Sequence, residues 1–366
     1  MNKTIQIHII TNFAEVGGAE EMLIRYVNSV KSTRCIIVSL MGTSKLMSGK
    51  LQGNVEILNL NCKSALDLLL APFKLKKIIK TLKPNTIFSW MYHANFVAAL
   101  TKYIFPNIPP VIWGVRHSLD DLAGEGISTK LAIYAGRLLK NIPSKTIYCA
   151  DRAMQQHINF GYSPKGKSVY IPNGYDFEEN QSRTIEKGSL VIGAAGRFHE
   201  AKDYGTLFKA LAPILSANSN IKLRIAGRDI NNSNEILRLY IKEQGINPNQ
   251  VQLLGQLNNM PEFYRSLDFF VLSSKTEGFP NVLAEAAGYG CITFSTDVGD
   301  AGIILNDNSR LVPIGDSKAL ENLLIDYINM PSDKLMKISK QAACFIRSTY
   351  SIDVISKKIL LIGSEQ

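Results

Sequence analysis

Apolar residues along this chain fall into short continuous runs, and longer segments between them repeat apolar residues every three or four positions. The runs 5–10, 86–90 and 267–272 are typical of strands that are buried on both faces. The periodic segments 128–140 and 204–215 are typical of helices that pack one face on a core. Because the two patterns alternate along the chain, they predict α/β domains with parallel sheets.

Two carboxylates follow the strand predicted at 267–272. Glu277 lies in the loop after that strand, and the good helix formers 281–287 follow, with Asn281 as the expected cap. Glu285 therefore lies one turn into the helix, eight positions after Glu277. In open α/β sheets ligands bind at the carboxyl ends of strands, and a helix N-terminus favours an anion. A helix cap and a solvated helix glutamate are the alternative interpretation.

Two cations follow another predicted strand. The run 190–195 ends at Gly196, Arg197 comes next, and Lys202 precedes the helix predicted at 204–215. A guanidinium fork and an ammonium beside a helix start suit a diphosphate. Ordinary surface cations are the alternative.

The first loop of the chain has a weaker signal. Gly17 and Gly18 separate the strand 5–10 from a helical run, a geometry that lets the backbone approach a phosphate closely. A plain turn is the alternative, and the absence of a G-x-G-x-x-G sequence argues against a nicotinamide cofactor. Further along, His117 follows the strand predicted at 111–114 on the expected ligand side, with Arg116 beside it.

The residue order in these segments resembles that of one enzyme family. The segment Glu-Gly-Phe-Pro-Asn-Val-Leu-Ala-Glu-Ala, which begins at Glu277, resembles the Glu-x7-Glu signature of retaining glycosyltransferases of the GT-B fold, family 4. Gly-Gly-Ala-Glu at Gly17 and the Gly-Arg-x5-Lys spacing that ends at Lys202 resemble the same family. The resemblance covers nearly the whole chain and is strongest over 196–300.

The resemblance implies a fold, a donor site and a reaction. It implies two Rossmann-like doubly wound domains that face each other across a cleft, and a nucleotide-sugar donor held mainly by the second domain. It implies these roles: Arg197 and Lys202 on the donor diphosphate, Glu285 on the ribose, Glu277 and His117 beside the donor sugar, and Gly17 and Gly18 near the diphosphate. The remaining donor-contact candidates are Gly255, Gln256, Phe279, Pro280, Asn281 and Val282. Asp300 stands where the family has a second glycine, which puts the close backbone approach at this loop in doubt.

Length and charge divide the chain. With 366 residues, two domains are expected. The expected bounds are an acceptor-side domain at 1–176, a linker at 177–188, a donor domain at 189–350, and a C-terminal helix at 351–366 that returns to the first domain. Residues 1–180 hold 21 Lys and Arg against 12 Asp and Glu, whereas residues 181–366 hold 20 against 19. The net charge of +10 therefore belongs to the first half and indicates a polyanionic partner.

A basic amphipathic helix is predicted at 64–83, with Pro72 expected to kink or restart it. Its lysines form one predicted face, and its leucines, isoleucines and Phe73 form an apolar one; the lysines taken as candidate membrane or acceptor contacts are Lys74, Lys76, Lys77 and Lys80. Such a helix is typical of binding to an anionic membrane surface. An ordinary sheet-covering helix with a solvated lysine face is the alternative.

Composition limits the compartment. No apolar run is long enough for a membrane span, and the N-terminus enters a strand pattern without a signal peptide. The five cysteines form no CxxC pair and are expected to be reduced core residues of a cytoplasmic protein.

The sequence therefore predicts a retaining, metal-independent glycosyltransferase without a cofactor. It would act with a nucleotide-sugar donor, UDP-sugar favoured, and a glycan or polyprenyl-diphosphate-linked acceptor at the inner face of a bacterial plasma membrane, in surface polysaccharide biosynthesis such as lipopolysaccharide or capsule. A sugar-nucleotide epimerase on the same fold and a non-enzymatic basic binding module remain alternatives. An intact set of donor residues and the lack of an aromatic-basic motif argue against nucleic acid.

Overall fold

A computed structural model describes residues 4–364 except 16, 54, 121 and 179–188. The strands are β1 (Ile5–Ile10), β2 (Arg34–Ser39), β3 (Glu56–Asn59), β4 (Thr86–Trp90), β5 (Val111–Val115), β6 (Lys145–Tyr148), β7 (Ser168–Tyr170), β8 (Val191–Ala195), β9 (Lys222–Ala226), β10 (Val251–Leu253), β11 (Phe269–Leu272), β12 (Ile292–Thr296) and β13 (Leu311–Val312). The helices are α1 (Gly18–Ser29), α2 (Lys45–Ser48), α3 (Ala65–Leu82), α4 (Tyr92–Ile104), α5 (Ile127–Leu138), α6 (Asp151–Phe160), α7 (Tyr204–Ala217), α8 (Glu235–Glu243), α9 (Met260–Arg265), α10 (Asn281–Gly288), α11 (Ala301–Leu305), α12 (Ser317–Ile328), α13 (Ser332–Tyr350) and α14 (Ile352–Ser364).

The chain folds into two units. The first unit runs to Asp176 and takes in the segment from Tyr350 onwards, and the second unit is Phe177–Thr349. Most of the linker predicted from the sequence, residues 179–188, lies outside the described residues. Ile352, Ile355 and Ile359 of α14 are part of the core of the first unit, so the C-terminal helix belongs to that unit.

Each unit is built on a parallel sheet. Within the described residues the first sheet has the order β3-β2-β1-β4-β5-β6-β7 and the second has the order β10-β9-β8-β11-β12-β13. All strand pairs are parallel, as the alternation of strands and helices requires. The two Rossmann-like α/β domains expected from the sequence are confirmed. In each sheet the strand order reverses once, between β1 and β4 and between β8 and β11, and such a switch point opens a crevice at the carboxyl ends of the strands.

The helices cover the sheets because their apolar stripes face the strands. In the first unit α4 lies between α3 and α5, and its alanines and Val97 are buried. Trp113 of β5 and Tyr162 pack together under these helices, with ring centroids 5.1 Å apart. In the second unit Phe269 and Phe294 meet edge to face between neighbouring strands.

Three local features differ from what was expected. Pro72 does not restart a helix, since α3 is continuous through it, and a kink at Pro72 stays a prediction. The N-cap of α10 is Pro280, and Asn281 is the first helical residue. Cys344 is exposed on α13, whereas the other four cysteines are buried as expected.

The apolar residues of α3 do not form the single apolar face that was expected. Ala71, Pro72, Leu75 and Ile79 face the core. Leu66, Leu69, Leu70 and Phe73 are exposed instead. No helix among the described residues combines the length and the apolar character needed to cross a membrane.

Candidate active site

Three charged residues of the predicted donor site lie at the topological switch point of the second sheet. Arg197 and Lys202 are in the segment that leaves β8, and Glu277 is in the segment that leaves β11, the strand paired with β8. Parallel neighbours end at the same edge of a sheet, so these segments share one crevice. The sheet topology therefore brings together residues that are 75 positions apart in the chain.

Lys202 and Glu277 form a direct ion pair. The Lys202 ammonium donates to Glu277 Oε1 at 2.5 Å, and Ser274 Oγ donates to the same oxygen at 2.8 Å. The two charged side chains are only 20% and 15% exposed. In such a partly dry environment a charge-assisted hydrogen bond is stronger than on an open surface. The pair therefore holds an oriented cation and an oriented carboxylate side by side.

Backbone contacts fix both ends of this pair. Ser273 Oγ donates to the carbonyl oxygen of Lys202, and the N–H of Lys275 donates to the carbonyl oxygen of Ala201. The loop after β11 is thereby tied to the short 3-10 turn Glu200–Lys202. The position of the ammonium is set by the fold and not only by side-chain rotamers.

Arg197 is the second cation of this crevice. Its side chain is exposed, and it has no hydrogen bond or ion pair with any other described residue. A guanidinium held at the end of β8 without an anionic partner can bind phosphate oxygens in a fork. The Lys202 charge is balanced by Glu277, whereas the Arg197 guanidinium has no ion pair with another described residue.

Two glycines allow the loops to approach closely. Gly227 has φ +150°, and a Cβ there would lie 1.9 Å from the carbonyl oxygen of Gly196. Gly299 has φ +50°, and a Cβ there would lie 2.1 Å from the carbonyl oxygen of Gly278. Asp300 has an ordinary φ of −92° and donates its N–H to Gly278 at 3.1 Å. The close approach that Asp300 put in doubt is therefore present, because Gly299 alone supplies it.

The Glu285 carboxylate accepts a hydrogen bond from a buried tyrosine. Tyr264 OH donates to Glu285 Oε2 at 2.9 Å, and the Tyr264 ring is 1% exposed. That ring stacks on Tyr289 with centroids 6.0 Å apart. A buried, stacked donor fixes the rotamer of the carboxylate, which is what a hydroxyl-binding site needs.

The other predicted donor contacts frame the same edge of the sheet. Phe279 and Pro280 are buried and lead into α10, whose first turn has no side-chain cap. Asn281 and Val282 are half-buried in that turn, where backbone N–H groups point toward the crevice end of the helix. Gly255 and Gln256 follow β10. The N–H of Gly255 donates to Ile230, and its carbonyl oxygen accepts from Gly227, while the Gln256 side chain is exposed.

In the first unit the glycine pair begins a helix. Gly17 is the N-cap of α1 in an extended conformation, without a side-chain cap, and Gly18 is the first helical residue. Glu20 lies in this first turn, and burial raises its pKa. A Cβ on Gly17 would lie 2.4 Å from Glu20 Oε2, so this carboxylate lies against the turn and an anion that binds at the glycines must displace it.

His117 has a carboxylate partner that the sequence did not suggest. Its Nε2 is 2.5 Å from Glu125 Oε1, and its ring meets the Tyr92 ring edge to face at 6.5 Å. The side chain is 45% exposed. Glu125 thus orients an accessible imidazole at the carboxyl end of β5.

Arg116 has a structural role. Its Nη1 donates to Asn173 Oδ1, and its guanidinium lies over the Trp90 ring at 5.1 Å. Burial lowers its pKa. Arg116 therefore joins β4 and β5 to the Pro-Asn-Gly turn that ends the N-terminal part of this unit.

The remaining histidines are mostly structural. His8 is fully buried, and burial lowers its pKa to about 3. His157 is hydrogen-bonded to Tyr92 OH and to the carbonyl of Ala153, and burial lowers its pKa to about 4. His93 is half-buried, and His199 accepts from the N–H of Ala201.

Met91 is a strained residue at the switch point of the first sheet. It follows β4 with φ 72° and ψ 168°, a region that is almost reserved for glycine. Its N–H donates to the carbonyl of Gly114, and its sulfur accepts from the N–H of Arg116. Such strain costs about 1–3 kcal/mol and is commonly found where a ligand site fixes the backbone.

Metal ligands do not cluster in the described part of the chain, where no three His, Cys, Asp or Glu side chains come together. The site consists of cations, carboxylates and backbone N–H groups.

These features lie in a segment that matches a known family. Residues 189–330 match the family model described as "Glycosyl transferases group 1". This segment is therefore similar to the domains of group 1 glycosyltransferases. The ion pair, Arg197 and Glu285 are all inside it.

Curated proteins resemble a larger part of the chain. The chain is 29% identical over 245 residues to an uncharacterized glycosyltransferase of Methanocaldococcus jannaschii, which covers 62% of this chain and 58% of that protein. It is 28% identical over 286 residues to N-acetylgalactosamine-N,N'-diacetylbacillosaminyl-diphospho-undecaprenol 4-alpha-N-acetylgalactosaminyltransferase of Campylobacter jejuni, covering 74% and 73%. Further relatives are glycosyltransferases of capsule and lipopolysaccharide biosynthesis.

Solved structures show the fold of the whole chain. The crystal structure of Anabaena HepE in complex with UDP and glucose superposes with a TM-score of 0.78 at 18% identity, covering 99% of this chain and 100% of that one. Together with the two parallel sheets, this likeness shows the GT-B fold.

Sequence reasoning missed the supporting residues of this domain. Tyr264 and Ser274 hold the two glutamates, and neither belongs to a recognisable motif. Tyr264 comes shortly before the strand predicted at 267–272, so its sequence position indicates only that it lies near the sheet. No local signal indicates its hydrogen bond to Glu285.

Proposed function

We propose that this protein is a retaining glycosyltransferase that moves a sugar from a nucleotide-sugar donor, UDP-sugar favoured, to a glycan or lipid-linked glycan acceptor in bacterial surface polysaccharide biosynthesis. The observation that carries the proposal is the Lys202–Glu277 ion pair at the β8/β11 switch point. Arg197 follows β8 in the same region and has no ion pair with another described residue. The match of residues 189–330 to group 1 glycosyltransferases supports it.

The proposed chemistry is electrostatic. Arg197 and Lys202 stabilise the negative charge that develops on the leaving diphosphate, and the N-terminus of α10 adds backbone N–H groups. Because Lys202 already contacts Glu277, its ammonium needs no reorganisation before the diphosphate arrives. This preorganisation is the main source of rate enhancement in the proposal.

The carboxylates have separate roles. Glu285, fixed by Tyr264, binds the ribose hydroxyls of the donor, and Glu277 orients the donor sugar. In the first unit His117, oriented by Glu125, also acts on the sugar, and Gly17 and Gly18 receive the diphosphate. Acceptors with a polyprenyl diphosphate are proposed because the Campylobacter relative acts on a diphospho-undecaprenol substrate by its name.

The proposed reaction proceeds without a divalent metal, since the two cations take over the charge of the diphosphate. Turnover should be the same in EDTA as in Mg²⁺ or Mn²⁺. Loss of turnover in EDTA that is restored by either metal would refute this part of the proposal.

The protein is also proposed to work at the cytoplasmic face of the plasma membrane. Lys74, Lys76, Lys77 and Lys80 are all exposed on α3, and no acidic residue faces them within that half of the helix. Each lysine near an anionic leaflet contributes about 1 kcal/mol. Charge reversal at Lys76, Lys77 and Lys80 that left activity on a lipid acceptor unchanged would contradict this contact.

The deciding experiment is calorimetry with UDP, GDP, ADP, TDP and their sugars, on wild type, Glu285→Ala and Glu243→Ala. Glu243 is an exposed carboxylate at the end of α8 and serves as the control. We expect UDP to bind to wild type and to the control and to bind at least about tenfold more weakly to Glu285→Ala, since hydrogen bonds to a charged group are worth about 1.5–3 kcal/mol. No binding by any nucleotide would overturn the proposal. Donor consumption without an acceptor would indicate an epimerase instead.

A further inference from the structure

Helix α5 is apolar on two opposite sides. Its inner side, with Ala132, Ile133 and Gly136, is buried in the first unit. Its outer side carries Ile127, Leu131, Tyr134 and Leu138, which are 78%, 64%, 50% and 86% exposed. The spacing of four, three and four residues places these side chains in one stripe along the helix. A helix with apolar residues on two opposite sides is normally covered on both of them.

The neighbouring helices α3 and α4 also expose apolar side chains. α4 packs against both α3 and α5. The first half of α3 exposes Leu66, Leu69, Leu70 and Phe73. Tyr103 and Ile104, at the end of α4, are exposed as well. We call this surface, made by the outer sides of the three helices, the α3–α5 face.

Exposed apolar residues are concentrated on this face. Ten of the nineteen exposed large hydrophobic side chains among the described residues lie on α3, α4 and α5. Isolated exposed leucines are ordinary on protein surfaces, but a concentration of exposed apolar residues on helices that pack against each other indicates a binding site.

The same face is strongly basic. α3, α4 and α5 together contain seven Lys and Arg residues and one acidic residue, Asp67. The Asp67 carboxylate is engaged at the N-terminus of its own helix, where it accepts from the N–H groups of Lys63 and Ser64. No acidic side chain within these three helices therefore offsets the lysines.

Cations and apolar groups are interleaved at one end of the face. The Lys76 ammonium lies 4.1 Å from the centroid of the Phe105 ring, and Phe73 meets that ring edge to face. A cavity of about 570 Å³ lies beside them, with Lys80 and Lys83 on its wall and Ile104 in its lining. Ammonium groups next to apolar side chains suit a phosphate headgroup with its attached hydrocarbon.

We propose that the α3–α5 face is a membrane-docking surface that inserts its apolar side chains into the headgroup boundary of an anionic bilayer. The occupant follows from charge complementarity. A second copy of the chain would bring an equally basic face against this one, and like charges at short range oppose such a dimer. An anionic bilayer neutralises the lysines and also covers the apolar stripe, so it satisfies both features of the surface.

This inference deepens the membrane contact of the proposed function in a definite way. That contact used the lysines of α3 alone, which predicts attraction that salt abolishes. Insertion of the apolar residues of α5 predicts a component of binding that survives high salt. Because vesicle binding is measured without turnover, failure of the proposed reaction and failure of this surface give different results.

The test is co-sedimentation of the full chain with vesicles of phosphatidylglycerol and phosphatidylcholine, at low salt and at 0.5 M salt. The test variant is Leu131→Ser/Leu138→Ser, which leaves every lysine in place. The control is Ile236→Ser/Leu239→Ser, which removes two exposed apolar residues of α8 in the second unit. We expect the α5 variant to bind at least about tenfold more weakly, because it lacks two leucines that the bilayer would bury, and the control to bind like wild type.

A second measurement does not depend on loss of binding. Tyr134→Trp places an indole in the stripe, and we expect its emission to shift to the blue and to be quenched by lipids with brominated acyl chains. Vesicles of pure phosphatidylcholine should bind weakly, since they lack the anionic charge.

Several results would overturn the inference. Wild type that ignores anionic vesicles, or an α5 variant that binds them as wild type does, would exclude docking through this surface. A concentration-dependent dimer that Leu131→Ser/Leu138→Ser converts to a monomer would assign the face to a second copy. An indole at position 134 that bromolipids do not quench would exclude insertion.

Discussion

Acid should unfold the first unit through its buried histidines, and His8 is the best place to test this. Trp90 Nε1 donates to His8 Nδ1 at 3.3 Å, so the proton of the neutral ring is on Nε2. That nitrogen has no hydrogen-bond partner among the described residues. A second proton on Nδ1 would face the indole N–H in a dry core, stacked on Phe88 at 5.2 Å. Burial therefore lowers the pKa of His8 from 6.5 to about 3.

The sign of the effect follows from the protons bound in each state. Between pH 6.5 and about 3 the unfolded chain is protonated at His8 and the folded chain is not, so stability is complete above pH 6.5 and falls as the pH falls. One such group costs about 1.4 kcal/mol per pH unit. His157, with its pKa near 4, adds the same slope. Together they should cost about 4 kcal/mol between pH 6.5 and pH 5, a large share of the ~5–15 kcal/mol that stabilises a domain.

The carboxylates with shifted pKa values do not mask the effect of the histidines between pH 6.5 and pH 5. The pKa of Asp67 and that of Asp307 are lowered, so their stabilising effect is lost only below their ordinary value of 3.8. The raised pKa of Glu20 acts in the opposite direction, because the folded state holds its proton more tightly. It is the same in wild type and in histidine variants and cancels in their comparison.

The assay is urea unfolding followed by tryptophan fluorescence between pH 6.5 and 5. Both tryptophans of the chain, Trp90 and Trp113, are buried in the first unit, so the signal reports that unit alone. His8→Leu should reduce the slope by about 1.4 kcal/mol per pH unit, whatever it does to stability at neutral pH. His199→Gln, in the exposed turn after β8, should leave the slope unchanged. A wild type whose stability is flat over this window, or a His8→Leu variant with the full slope, would refute the reasoning.

Three further predictions concern the second unit. Tyr264→Phe keeps the stacked ring but removes the donor to Glu285, so UDP should bind about tenfold more weakly in calorimetry with little change in melting temperature. Gly227→Ala places a methyl against the carbonyl of Gly196 at a strained φ, so the free energy of unfolding should fall by about 3 kcal/mol or more in urea titrations. Cys344 should be the one thiol that reacts rapidly with a disulfide reagent in the native chain, and all five should react in urea.

Each of these three predictions can be contradicted by a specific result. Gly126→Ala has no atom within 4 Å of the added Cβ and an ordinary φ, so it should be nearly neutral. Normal UDP affinity in Tyr264→Phe would mean that Glu285 needs no orienting donor. Rapid reaction of a second native thiol would contradict the burial of the others, among them Cys35, whose pKa is raised by burial to about 12.

The sequence predicted most elements because their periodicity is local. The strands Ile5–Ile10 and Thr86–Trp90 were predicted with the bounds that the structure has. Short helices such as Met260–Arg265 and Ala301–Leu305 were missed, since one or two turns show no period. Asn281 was expected as a cap because its residue type favours that position, but Pro280 takes it, as the fixed φ of proline suits the entry to a helix.

The second limit of the sequence concerns which side of a helix is covered. The apolar residues of α3 were assigned to one face, yet Leu75 is buried and Leu69 is half exposed. Hydropathy records that a side chain avoids water, and it does not record whether protein or membrane provides the cover. The stripe on α5 was missed for the same reason, because it is visible only when the inner side of the helix is known.

Chemistry occupies the same topological position in both units. In each sheet the strand order reverses after the first strand of the unit, between β1 and β4 and between β8 and β11. In the second unit that position carries charge, with Lys202 after β8 and Glu277 after β11. In the first unit it carries backbone freedom and strain, with Gly17 after β1 and Met91 after β4. The sheet topology fixes where a ligand can reach the backbone, and the residue types at that point set whether a unit offers charge or close approach. The charges explain why the donor motif was readable from the sequence, whereas the strain at Met91, which no residue pattern encodes, became visible only in the fold.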